Sequence, residues 1–256
     1  MPHSSIQPAI QQVWPAPLDL SPEQMALAAL RHEIDVLDDQ LLALFERRLA
    51  IAARVGRAKD APCGPHLKLR PDRERAVHDR VLAQAAPDNR EAVESLWREI
   101  VGWGLAQQGQ LKVQVWSPNE PARAFDGARQ RFGRAAEIRM VQDADAALRF
   151  ASDGGGVAVL AVNNDTPWWI GLRKEWAHLS VFEGFGGEVP SAFAVGPIDP
   201  AALPGGRRVV VSAGGDAGDG AGARRWGLHT HHGWTLALTE ARIAPGGPEG
   251  CVGAVG

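Results

Sequence analysis

The chain has 256 residues, 27 Lys and Arg against 30 Asp and Glu, a formal charge of -3 and 45% hydrophobic content. This composition predicts one or two folded domains and offers no basic face for a nucleic acid or an anionic membrane. Two cysteines exclude a disulfide scaffold and a Cys-rich zinc module. No apolar run approaches the roughly 20 residues of a membrane span, and no secretory signal opens the chain, so a cytoplasmic location is expected.

Residues 1–24 are rich in Pro, Gln and Ser, show no period and read as a flexible leader. The leader ends on Ser21-Pro22-Glu23-Gln24, which has the pattern of a helix start: Ser as N-cap, Pro at the first helical position and Gln three residues after the Ser. From Leu27 the apolar residues fall at alternating spacings of three and four: Leu27, Leu30, Ile34, Leu37, Leu41, Leu44, then Arg48, Ile51, Val55 and Ala58. This is a heptad seam on a helix of about 48 Å. Such a seam requires a partner helix, from the same chain or from a second copy. Residues 60–69 read as a loop. A second helix is predicted from Pro71 to Gln84 and a third from Arg90 to Gln108, with Val93, Trp97, Ile100, Val101 and Leu105 on its apolar face. Residues 25–110 are therefore expected to form an all-α, three-helix domain.

After Gln110 the pattern changes. Strands are predicted at 112–116, 138–141, 157–162, 179–182 and 191–195, and helices at 121–132, 144–151 and 168–178. The alternation points to a smaller α/β domain over 111–256. Of the 29 glycines 22 follow residue 150, and the run at 212–223 reads as a loop or linker in a glycine-rich tail. Trp168, Trp169 and Trp176 read as packing residues of an amphipathic helix. His229, His231 and His232 lack a nearby acid or cysteine cluster and read as surface polar residues rather than metal ligands. Cys63, in a Pro/Gly loop, reads as an ordinary thiol.

Arg48 is the informative residue, because a cation in an apolar seam costs several kcal/mol unless it is compensated. It either pairs with an acid of a neighbouring helix, snorkels out of the layer, or presents its charge to an anion. Lys59 lies on nearly the same helical face about 16 Å further on, so the two side chains can lean toward one small anion. Arg31 lies about 25 Å back along the axis on another face. If it shares that anion, it must come from a second, antiparallel copy. Arg73 and Glu74 open the second helix with a further cation and a carboxylate.

Taken together, Leu30–Leu44 (LRHEIDVLDDQLLAL), Arg48, Val55–Lys59 (VGRAK), Asp72-Arg73-Glu74 and the closing helix with Trp97-Arg98-Glu99-Ile100 and Gln108 resemble the all-helical (type II) chorismate mutase family. The resemblance implies an intertwined homodimer with shared sites and chorismate as a dianionic substrate, with no metal and no cofactor. It implies that Arg48 binds one carboxylate and Arg31 of the second copy the other. Lys59 and Gln108 would donate to the ether oxygen, Glu74 would accept from the ring hydroxyl, and Arg73 would support the site. Two positions depart from the family pattern. Gly104 stands where a small hydroxyl residue is common, and Arg70 stands where an acid is common.

Residues 112–195 resemble the first lobe of a prephenate dehydratase domain, which follows the mutase in fused bacterial enzymes. The apolar strand at 157–162 leads into Asn163-Asn164-Asp165-Thr166, with Asn163 in place of the family's acid. The glycine-rich turn after the first strand and the Thr-Arg-Phe motif are missing, so the expectation is a degenerate segment without dehydratase activity. The alternatives are a bifunctional mutase–dehydratase and a non-catalytic helical dimer or regulatory ligand-binding module. A lyase acting on isochorismate-type dianions has the same helical fold.

Overall fold

The computed structural model describes residues 21–58, 67, 69–162, 165–214, 223–243 and 250–256. The leader at 1–20, Lys59, Cys63, Asn163 and most of the glycine-rich run lie outside the described residues. The chain divides into two compact units, one ending at Glu46 and the other running from Arg47 to Gly256.

Helix α1 spans Pro22–Ala58. Its start is the reciprocal box the sequence predicts: Gln24 N–H donates to Ser21 Oγ at 3.3 Å, and Ser21 N–H donates to Gln24 Oε1 at 2.8 Å. In the first unit the seam is unburied, with Leu30 57% and Leu41 62% exposed and Leu27, Ile34, Leu37 and Leu44 similar. Among the described residues the stripe that the periodicity marks is uncovered.

In the second unit, α2 spans Pro71–Gln84 with Pro at its first position, and a 3-10 turn at Pro87–Asn89 leads into α3, Arg90–Ala106. Beyond α3 comes a mixed layer. Its strands are β1 (Lys112–Trp116), β2 (Glu137–Met140), β3 (Val157–Ala161), β4 (Ser180–Phe185), β5 (Ala192–Gly196), β6 (Arg207–Ala213), β7 (Arg225–His231), β8 (Trp234–Thr239) and β9 (Cys251–Val255). They form one nine-stranded sheet in the order β2-β1-β3-β5-β4-β9-β6-β8-β7. Helices α4 (Pro121–Phe132) and α5 (Ala144–Ser152) connect the parallel strands β1, β2 and β3.

Both faces of the sheet are covered at β3, which explains why it is a continuous apolar run. Val157 and Val159 pack with Ala124, Ala128 and Phe132 of α4. Ala158 and Leu160 point the other way, toward Ala147, Leu148 and Ala151 of α5 and toward Trp168 and Trp169. The helix expected at 168–178 is a shorter 3-10 turn, Trp168–Arg173. Two adjacent tryptophans are both buried there, and Trp168 Nε1 donates to the Ala161 carbonyl at 2.7 Å.

The tail also carries strands for which the sequence reading had no expectation. Residues 207–255 contribute four strands to the same sheet, and β9 lies between β4 and β6 with every side chain buried. The histidine cluster belongs to a hairpin: His231 pairs with Trp234, and His232 and Gly233 take the two positive-φ turn positions, 45° and 79°. Among the described residues no helix is long and apolar enough to cross a membrane.

Candidate active site

Arg48 lies on the stretch of α1 that belongs to the second unit, where it meets α3. Its Nη1 donates to the Ile100 carbonyl at 2.8 Å, and it has no carboxylate partner among the described residues. The side chain is half-buried, and burial lowers the guanidinium from its ordinary value. Of the options the sequence leaves open, pairing with an acid is absent among these residues, and the charge is held by a neutral carbonyl.

Gly104 makes room for this arginine. A Cβ at residue 104 would lie 2.8 Å from Arg48 Nη1 and 3.8 Å from the Ala52 Cβ. The same residue's carbonyl accepts from Gln108 Nε2 at 3.2 Å. Gln108 follows the last turn of α3, its backbone N–H donating to the Leu105 carbonyl at 2.9 Å. Gly56 of α1 lies against this residue, since a Cβ there would meet Gln108 Cα at 2.7 Å. Arg48, Gly104 and Gln108 are thus brought together where α1 crosses the end of α3.

The other expected residues are placed differently. Arg31 is an exposed residue of the first unit. Arg73 is exposed on α2. Arg70 forms a two-pronged contact with Asp72, at 3.0 and 2.7 Å. That bond raises the Arg70 guanidinium and holds the Asp72 carboxylate below its usual range against a smaller opposing effect of burial. Asp72 therefore supplies a carboxylate close to the position where Arg70 departs from the family pattern.

Glu74 is drawn toward the sheet. Its Oε2 ion-pairs with Arg131 Nη2 of α4 at 2.9 Å, and Arg131 Nε donates to Glu183 Oε2 of β4 at 2.6 Å. The three side chains are 13%, 18% and 18% exposed for Glu74, Arg131 and Glu183. Burial alone would lower the Arg131 guanidinium, but the two carboxylates outweigh it and the net shift is upward. Glu74, Trp97, Val101, Arg131, Phe182 and Glu183 help line a cleft of about 870 Å³, whose lining does not include Arg48, Gly104 or Gln108.

Sequence reasoning missed Arg131 and Glu183. One signal was available: Arg131 stands next to Phe132 on the stripe of Ala124 and Ala128, the same kind of misplaced cation that drew notice at Arg48.

The helical part of this arrangement, residues 30–109, matches the family model for chorismate mutase type II, and so carries that family's sequence pattern. Two curated relatives are each described as a bifunctional chorismate mutase/prephenate dehydratase. The one from Pseudomonas aeruginosa is 32% identical over 149 residues, 56% of this chain and 40% of the relative. The one from Aquifex aeolicus is 31% identical over 98 residues, 36% of this chain and 26% of the relative. The chain thus spans well under half the length of these relatives. The longer match exceeds the stretch that precedes β1, so it continues into the α/β layer, in agreement with the dehydratase-like order of elements there. No solved structure matches the chain significantly.

Proposed function

We propose that the chain is a chorismate mutase that converts chorismate to prephenate on the route to phenylalanine and tyrosine, in the cytoplasm. The observation that carries this reading is Arg48: a half-buried cation with no carboxylate partner among the described residues, set beside Gln108 at the Gly104 carbonyl. Such an arginine is suited to a carboxylate ligand, which it would grip in a two-pronged way.

The rearrangement is a one-molecule pericyclic step. One carbon–oxygen bond breaks as one carbon–carbon bond forms, and no nucleophile or redox group takes part. The protein's task is to hold the folded, chair-like conformer and to stabilise negative charge growing on the ether oxygen. In this reading Arg48 takes one substrate carboxylate and Arg31 of a second copy the other. Lys59 and Gln108 donate to the ether oxygen, and Glu74 accepts from the ring hydroxyl. Arg73 adds positive charge at the start of α2, Arg70 acts there through its pair with Asp72, and Gly104 keeps the Arg48 pocket open.

The exposed seam of α1 supports a homodimer with shared sites. The six seam side chains Leu27, Leu30, Ile34, Leu37, Leu41 and Leu44 are exposed in one copy among the described residues, and an identical antiparallel helix would bury them while bringing Arg31 to a partner's site.

The test is the rate of prephenate formation by the purified protein. Turnover well above the uncatalysed rate is expected, with Arg48→Ala lowering it at least ~100-fold while the circular dichroism spectrum is unchanged. No consumption of chorismate would leave the non-catalytic helical dimer. A second reading, the bifunctional mutase–dehydratase, is favoured by the match that runs on into the α/β layer. Phenylpyruvate formed from prephenate would establish it.

A further inference from the structure

The contact between Arg131 and Glu74 joins the α/β layer to the carboxylate that the mutase reading places on the substrate hydroxyl. Three features set it apart from an ordinary buried ion pair. First, Arg131 is fixed from behind. Glu183 holds its Nε, and the Phe132 ring lies 5.2 Å from its guanidinium carbon, so the remaining Nη2 reaches Glu74 in a set direction. Second, one guanidinium serves two carboxylates, whereas neutralising Glu74 alone would need no Glu183. Third, Arg131 Nη2 lies 2.9 Å from Oε2 of Glu74 as an ion pair, and both oxygens of that carboxylate are buried without an accepted hydrogen bond among the described residues. A carboxylate held in place by a cation while its acceptor sites stay unused can still take a hydroxyl, as outer partners orient the ligands of a metal site.

We infer that Arg131 is a positioning residue for the isomerisation, acting through Glu74, so that the α/β layer forms part of the working mutase site. This rests on the mutase reading above. Replacing Arg131 leaves Glu74 and Glu183 as like charges with no cation between them, and Glu74 swings away from its set position. A hydroxyl contact made both in the bound substrate and in the transition state governs KM more than kcat.

The experiment is steady-state kinetics of the full chain on chorismate. Arg131→Ala is expected to raise KM about 10-fold or more with kcat changed less than about 3-fold. Arg131→Lys should recover much of the loss. In a Glu74→Gln background, adding Arg131→Ala should cost less than about 2-fold, because the residue it acts through is already gone. Glu183→Gln, which loosens Arg131 but keeps the ion pair to Glu74, should raise KM a few-fold, and it carries the test if Arg131→Ala does not fold. An unchanged KM in Arg131→Ala, or in Glu183→Gln where that variant carries the test, overturns the inference. So do full additivity with Glu74→Gln and a loss confined to kcat. A wild-type chain that does not turn over chorismate overturns the mutase reading instead, and the inference with it.

Discussion

The guanidinium of Arg48 occupies the space that a side chain at residue 104 would need, with Nη1 2.8 Å from where a Cβ of Gly104 would sit. The departure from the family pattern at residue 104 is therefore the other half of the Arg48 pocket. A hydroxyl side chain at 104 and this placement of the arginine exclude each other. The hydrogen bond to the Ile100 carbonyl, one turn before Gly104 on α3, fixes the arginine in that space.

Gly104→Ala separates stability from activity. A glycine inside a helix costs about 1 kcal/mol relative to alanine, and the only close neighbour of the new methyl is the far end of a flexible side chain. The variant is expected to unfold at the same or a higher denaturant concentration. Arg48 must give way, however, so kcat/KM for chorismate should fall about 10-fold, the scale of one charge-assisted hydrogen bond. Denaturation midpoints and kinetics on the same preparation check both halves.

Gly56→Ala should behave in the opposite sense. Its Cβ would lie 2.7 Å from the Cα of Gln108, a backbone atom that cannot swing aside. The helices α1 and α3 must separate locally, at a cost of about 1–3 kcal/mol. The expected result is a lower denaturation midpoint, and with Gln108 displaced, a lower kcat as well.

The helical segment was legible because its signals are local. A reciprocal cap at Ser21 and Gln24, Pro71 at a helix start and a period of three and four over α1 each act within a turn or two. The strand β3 was legible for a similar reason, since a strand buried on both faces must be apolar throughout. What escaped depends on distant partners. The strand β9 is a five-residue run containing Gly253, and it is a strand because β4 and β6 flank it. No strand was expected there, and the pairing with β4 and β6 fixes its extended backbone. Arg131 and Glu74 come from different layers, and no spacing rule relates them. Of the candidate site, Arg48 was legible through helical register and Gln108 only through the family resemblance, and the structure sets them on either side of one glycine.

The placement of β9 carries its own prediction. Removing residues 250–256 deletes the strand between β4 and β6 and leaves two long apolar edges unpaired. The truncated chain is expected to lose cooperative unfolding and to aggregate, while keeping helical signal from α1. A soluble truncation with a sharp thermal transition would contradict the sheet order.

The exposed seam of α1 gives the test of shared sites. A buried leucine contributes about 2 kcal/mol, so Leu37→Glu with Leu41→Glu in each copy should abolish the dimer in sedimentation at micromolar concentration. Mutase turnover should be lost with it, because Arg31 then has no second copy to serve. Complementation is the sharper measurement. Arg31→Ala and Arg48→Ala chains should each be inactive alone. Refolded together in equal amounts, half of the dimers are mixed, and each mixed dimer carries one site with both arginines, so turnover should return to about a quarter of wild type. Confirmed mixed dimers without activity would place Arg31 outside the site, and the seam would then join copies without joining their chemistry.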